Sequence, residues 1–122
     1  MEVDFRRFEE PDETRVFEKG TFRVVSIDGM TIGRAEYRPG WRWSEHVGPT
    51  VGETSCQVGH LGLVVSGRAM AAMDDGREFL MEPGHLFAIP PGHDSWVVGD
   101  EPYVSIHFLG ATDYAAAHDA ER

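Results

Sequence analysis

The groups able to do chemistry in this 122-residue chain are six histidines, a single cysteine and an arginine set among tryptophans. The histidines are His46, His60, His85, His93, His107 and His118. Neutral imidazole suits zinc, iron, nickel and copper, and an ion held by it keeps positions for water or substrate. Cys56 shares strand parity with Val58 and His60, so an inward face makes its thiolate a soft ligand; otherwise it is a packing residue. His107 stands between Ile106 and Phe108, as either a reserve ligand or a partner to one. Arg42 and Ser44 share parity with His46, where a guanidinium suits a carboxylate-bearing substrate or pairs with one of the surface acids. His85 and His118 read as surface residues. The chain has no Gly-rich phosphate loop, nucleophile elbow or Cys-x-x-Cys pair. Asp74-Asp75-Gly76, between two apolar runs, reads as a hairpin turn and not a calcium loop, because too few oxygens follow it.

Strands must position these groups. From Val16 onward, short β-branched and aromatic runs recur: Thr21 to Ile27, Thr31 to Tyr37, Trp41 to His46, Cys56 to Ser66, Ala69 to Met73, Phe79 to Met81, Leu86 to Ile89, Ser95 to Val98 and Tyr103 to Phe108. Fourteen glycines and seven prolines, mostly between those runs, supply the positive φ values and fixed bends of tight β connections. The pattern predicts an all-β sandwich or barrel. Residues 1–15 lack either periodicity and are expected as a polar arm, 16–111 as the barrel and 112–122 as a short helical tail with Thr112 or Asp113 as its N-cap. Trp41 and Trp43 then point away from His46, toward sheet or subunit packing, and Trp96 is structural.

The length is that of one domain with a real core. A formal net charge of −10, from 21 acids against 11 bases, repels phosphate backbones and anionic lipid, so neither nucleic acid nor a membrane is an expected partner. The first twenty residues are too charged for a signal peptide or a membrane span, and one cysteine cannot form an internal disulfide. A reducing, cytoplasmic setting is expected.

The stretch Pro39-Gly40-Trp41-Arg42-Trp43-Ser44-Glu45-His46, running on to His60 and Gly67, and that from Gly84 through Pro90-Pro91-Gly92-His93 resemble the paired motifs of the cupin superfamily, in a small single-domain cupin of the cupin 2 type. The family's first motif runs from a Gly over five residues to His-x-His, on to a Glu, and over six residues to a closing Gly. Five residues separate Gly40 from His46 and six separate His60 from Gly67, which puts His46 at the first ligand and His60 at the Glu position. Gly48 stands where the second His is usual, and the interval to His60 requires an insertion. Counting back from His60 without one places Cys56 and Thr54 at the two His positions instead. In the second motif Gly84, Pro90 and Gly92 match in register. Ser95 takes the usual His position, and His93 comes two residues earlier, on the same side by strand alternation.

What the resemblance implies is a cupin fold, the double-stranded β-helix or jelly-roll barrel, with a divalent metal ion (Fe, Ni, Mn or Zn) held in its mouth by His46, His60 and His93. Arg42, Cys56 and His107 are the expected substrate contacts. The implied function is a dioxygenase, isomerase or lyase acting on a small polar or anionic molecule, or alternatively a metal-free barrel that binds a small ligand as a sensor or carrier, or dimerises without catalysis. A homodimer is expected under each.

Overall fold

Alternating inward and outward residues, interrupted by glycine turns, give a two-sheet barrel whose inner faces carry His60, His93 and His107. The structure, a computed structural model, describes residues 2–116. Its strands are β1 (Glu13–Phe17), β2 (Gly20–Ile27), β3 (Met30–Tyr37), β4 (His60–Ser66), β5 (Arg68–Met73), β6 (Glu78–Met81), β7 (Leu86–Ile89), β8 (His93–Val98) and β9 (Tyr103–Leu109). Two short helices, α1 (Trp43–His46) and α2 (Gly48–Val51), lie between β3 and β4. The sheets, antiparallel throughout, run β1-β2-β3-β9-β4-β7 and β6-β5-β8. Between them pack Phe22, Ala35, Tyr37, Val64, Ala71 and Val97, all buried. Among the described residues, no helix is long and apolar enough to cross a membrane.

The step from one sheet to the other depends on Gly67, between β4 and β5. Its φ is +73°, and a Cβ there would lie 2.2 Å from the Pro102 carbonyl oxygen. Only glycine meets both demands, since a left-handed backbone and a close carbonyl each disfavour a side chain.

Four departures from the expected elements bear on the site. Trp41 to His46 is not a strand: only Arg42 bridges to Trp96, and from Trp43 the chain coils. Trp43, Val47 and Val51 recur at helical spacing and are all buried, at 2%, 1% and 8% exposure, so burial of this stripe outweighs the alternation of Trp41 with Trp43. Asp94 holds the first turn, accepting hydrogen bonds from the Ser44 N–H at 3.0 Å and the Ser44 hydroxyl at 2.8 Å. Cys56 to Gly59 is likewise outside β4; Cys56 instead forms an isolated bridge to His93, its N–H donating to the His93 carbonyl at 2.6 Å.

The third departure is β1, which begins at Glu13 inside the expected arm and pairs with β2 along its whole length. It is an edge strand, where charged side chains are the usual composition. The fourth is the tail. Residues 111–115 form a turn, not a helix, with Ala115 in the left-handed region at φ 53°. Arg15 explains the turn: its guanidinium donates to the carbonyls of Ala111 at 2.8 Å, Thr112 at 2.9 Å and Tyr114 at 2.5 Å, which an α-helix would use internally. The rest of the expected helix, with His118, lies outside the described residues.

Candidate functional site

Three elements bring ligand-type atoms together on the inner face. His60 opens β4, His93 opens β8, and Cys56 is held beside His93 by the isolated bridge. One ligand atom from each of Cys56, His60 and His93 lies within 4.8 Å of the others, and all three residues are buried. The Cys56 Sγ is 3.5 Å from His60 Nε2, and the rings of His60 and His93 stand 5.2 Å apart at 70°. His93 Nδ1 is 2.9 Å from the Pro90 carbonyl oxygen. A carbonyl only accepts, so Nδ1 carries the proton and the Nε2 lone pair is free.

His107 completes the histidine group from β9. Its ring is 5.2 Å from that of His60, and its Nε2 is 3.0 Å from the Ser105 hydroxyl. Phe22 and Phe87 pack edge-on against it, at 5.3 and 5.5 Å. Burial sets the protonation of the whole cluster. It lowers His60 to about 2, helped by His107 and His93; it lowers His107 to about 4 and also lowers His93. The imidazoles are therefore neutral, with lone pairs available to a cation. The same burial pushes the Cys56 thiol up to about 11, so only a bound cation would make it a thiolate at neutral pH.

The structure does not bring His46 to this group. Because Trp43–His46 is helical, its Nδ1 lies 3.0 Å from the Arg42 N–H and its Nε2 lies 3.9 Å from Glu18. Arg42 is also elsewhere: it pairs with Asp94 at 3.2 Å and stacks over Trp96 at 4.1 Å, which is the pairing with an acid set out above as its second reading. Cys56 stands beside His60 instead. Trp41 and Trp43 are buried in the core, and His85 is exposed.

Residues that sequence reasoning missed surround the cluster. Tyr114 stands edge-on to His60 at 4.9 Å and nearly parallel to His107 at 17°, and its hydroxyl is bonded to that of Tyr37. Tyr37 in turn stacks on Trp41 at 3.7 Å. Strand parity with Ala35 and Ser105 marks Tyr37 and Tyr103 as inward, but Tyr114 has no such signal because Arg15 holds its segment. The cavity that remains inside has a volume of about 30 Å³ and, among the described residues, no Asp, Glu, Lys or Arg in its lining; roughly two waters fit such a space. Of the histidines around it, the buried Nδ1 atoms of His60 and His107 have no hydrogen-bond partner among the described residues.

The donor set fits a metal ion. A tetrahedral centre with bonds of about 2.0–2.3 Å holds its ligand atoms roughly 3.3–3.7 Å apart, which the 3.5 Å between Cys56 Sγ and His60 Nε2 already meets. One thiol and two neutral imidazoles suit zinc or iron better than calcium or magnesium.

No family model matches the sequence, and no curated protein does. Solved structures match along most of it. A protein of unknown function from Rhizobium leguminosarum is 21% identical, with a TM-score of 0.62 over 88% of this chain and 95% of its own. A cupin-2 domain from Rhodospirillum rubrum is 18% identical, with a TM-score of 0.55 over 86% of this chain and 65% of its own. A cupin-like protein from Thermotoga maritima is 17% identical, with a TM-score of 0.53 over 87% and 79%. The chain has a cupin fold. At these identities the likeness shows the barrel fold alone.

Proposed function

We propose that this cupin barrel holds one divalent metal ion through Cys56, His60 and His93 and binds a small oxygen-bearing molecule beside it. The observation that carries the reading is the convergence of the three ligand atoms within 4.8 Å in a site whose imidazoles are kept neutral. Such an ion, when bound, supplies Lewis-acid chemistry of the kind isomerases and lyases use, or the dioxygen chemistry of a dioxygenase if it is iron. The chain's own residues do the rest. The Pro90 carbonyl fixes the tautomer of His93, Phe22 and Phe87 orient His107, and His107 with Ser105 holds a proton donor or acceptor within reach of the cavity. A reducing cytoplasm suits this role, because it keeps Cys56 free to ligate.

The experiment is elemental analysis of protein purified without an affinity tag or chelator, repeated on His60→Ala/His93→Ala. About one equivalent of zinc, iron, nickel or manganese in the native protein, lost in a variant that still gives a native circular-dichroism spectrum, supports the metal centre. No metal in either protein after reconstitution removes it. The second reading, a metal-free barrel that binds a ligand as a sensor or carrier, would then stand on the two unpartnered imidazole nitrogens as donors or acceptors for a ligand oxygen.

A homodimer is part of the same proposal. Leu61 of β4 lies opposite Ala88 of β7 and Leu109 of β9, and Leu63 lies opposite Leu86. Leu61, Val65, Leu86 and Leu109 are exposed by 39%, 49%, 74% and 59%. These three strands carry no Asp, Glu, Lys or Arg, whereas the chain as a whole carries −10. A second copy meets least repulsion and most apolar surface on that face. Sedimentation velocity should give twice the chain mass for the native protein and the chain mass for Leu61→Glu/Leu86→Glu; a monomeric native protein rules the dimer out.

A further inference from the structure

The two sheets are not closed on each other along β6 and β7. Each is an edge strand of its own sheet and neither pairs with the other. Between them runs a groove of about 450 Å³, walled by Met73, Phe79, Met81, Phe87 and Ile89. Met81, Phe87, Ile89 and Ala71 also line the small inner cavity beside the histidines, so groove and cavity lie on the two sides of one layer of side chains. Phe79 lies opposite Ala71, and Met81 opposite Ala69. By strand alternation Phe79 thus shares the inward face with Met81. Met81 is 8% exposed and Phe79 is 50% exposed, so an inward-facing aromatic ring is left half in water at the splayed edge.

From this geometry we infer that the ligand of the site is an amphipathic monoanion, with an apolar body lying on Met73 and Phe79 in the β6–β7 groove and one small oxygen-bearing head at His60 and His93. The inference rests on the proposed metal centre for the head and on the groove alone for the body. The two volumes divide the molecule: about 30 Å³ beside the histidines admits a carboxylate-sized group, whereas the groove of about 450 Å³ takes a chain or ring. Charge points the same way. A divalent ion with one thiolate and two neutral imidazoles would carry a net charge of one, which a monoanion neutralises in a cavity lined by no Lys or Arg among the described residues. The groove's own cation, Arg77, is engaged at the rim, paired with Asp75 at 2.8 Å and lying over Phe79 at 5.7 Å. The walls at the body position offer carbon and sulfur surface, which a polyol would leave its hydroxyls unpaired against.

The test is calorimetric titration of the protein with acetate, butanoate, hexanoate and octanoate, as purified and after metal removal. Affinity is expected to rise roughly fourfold per added methylene from butanoate to octanoate, the increment for burying one CH₂. In Phe79→Ser the rise should fall below about twofold per methylene while the affinity for acetate is unchanged, and Met73→Ser provides the same reading should the first variant fold poorly. A native series flat in chain length, no binding by any member, or a gradient unaltered in both variants overturns the inference. A gradient in a protein that holds no metal as purified and takes up none on reconstitution refutes the metal centre and leaves the apolar-body assignment in place; a bound ion with a flat series does the reverse.

Discussion

Lowering the pH from 6.5 toward 4 is expected to remove most of the stability of the metal-free protein. An unfolded histidine takes up its proton near pH 6.5, whereas in the fold His107 does so only near 4 and His60 only near 2. Between those values the unfolded state binds more protons than the folded one, so stability falls as pH falls. The contribution is full above the unfolded value and is lost progressively below it. Each such group gives up to about 1.4 kcal/mol per pH unit, and two of them over that interval give as much as roughly 7 kcal/mol. That is of the order of the whole stability of a small domain, about 5–15 kcal/mol. Urea melts between pH 8 and 4.5 read it directly: a midpoint that is level above pH 7 and drops steeply below 6, with a shallower drop in His107→Leu. Equal midpoints at pH 7 and 4.5 would show that the imidazoles are not held neutral by burial. Bound metal should delay the loss and then make it sharper, because protons compete with the ion for the same nitrogens.

Tyr114→Ala should cost about 4 kcal/mol, the usual penalty for truncating a fully buried aromatic. Tyr114 is 3% exposed and packs at 4.7 Å on Phe22 and at 4.9 Å on His60. Its removal also leaves the buried Tyr37 hydroxyl without its partner, which adds to the cost. Tyr114→Phe separates the two contributions and should lose only about 1–2 kcal/mol. The alanine variant opens a ring-shaped space against His60 and His107, so millimolar phenol is expected to recover part of the loss, as small aromatics do in other engineered cavities. Urea midpoints with and without phenol measure this; a change of under 1 kcal/mol in Tyr114→Ala would mean that the segment is not part of the folded core.

The barrel was legible because period-two alternation and its glycine separators are local signals: β2, β3, β5, β6, β7 and β9 agree with the expected runs to within a residue at each end. Local signals mislead where two periods fit the same residues. Trp41 and Trp43 alternate as a strand would, and Trp43, Val47 and Val51 repeat as a helix would; the tertiary burial that decides between them is not written in the segment. That one ambiguity carries His46 away from the cluster, while the bridge from Cys56 to His93 sets Cys56 beside His60. His60 and His93 were legible as candidates from their spacing to the flanking glycines, whereas the direction of His107 was left open by its alternation with Ser105 and Leu109, and the pairing of β9 with β3 and β4 decides it. Tyr114 was not, since nothing near it in sequence marks its direction. The edge strand β1 was hidden by its charges, among them Arg15, which fixes that segment.

The bonds from Arg15 to the carbonyls of Ala111, Thr112 and Tyr114 span 96 to 99 positions of the chain. During synthesis, therefore, the Tyr114 side of the interior is still missing when the strands of His60 and His93 emerge from the ribosome. β1 with β2 and β3, β4 with β7, and β5 with β6 and β8 can pair first; β9 then joins β3 to β4 and adds His107, and Tyr114, captured by Arg15, lays its ring against His60 last. The fold thus completes one wall of the histidine cluster late, through a contact between residues 99 positions apart.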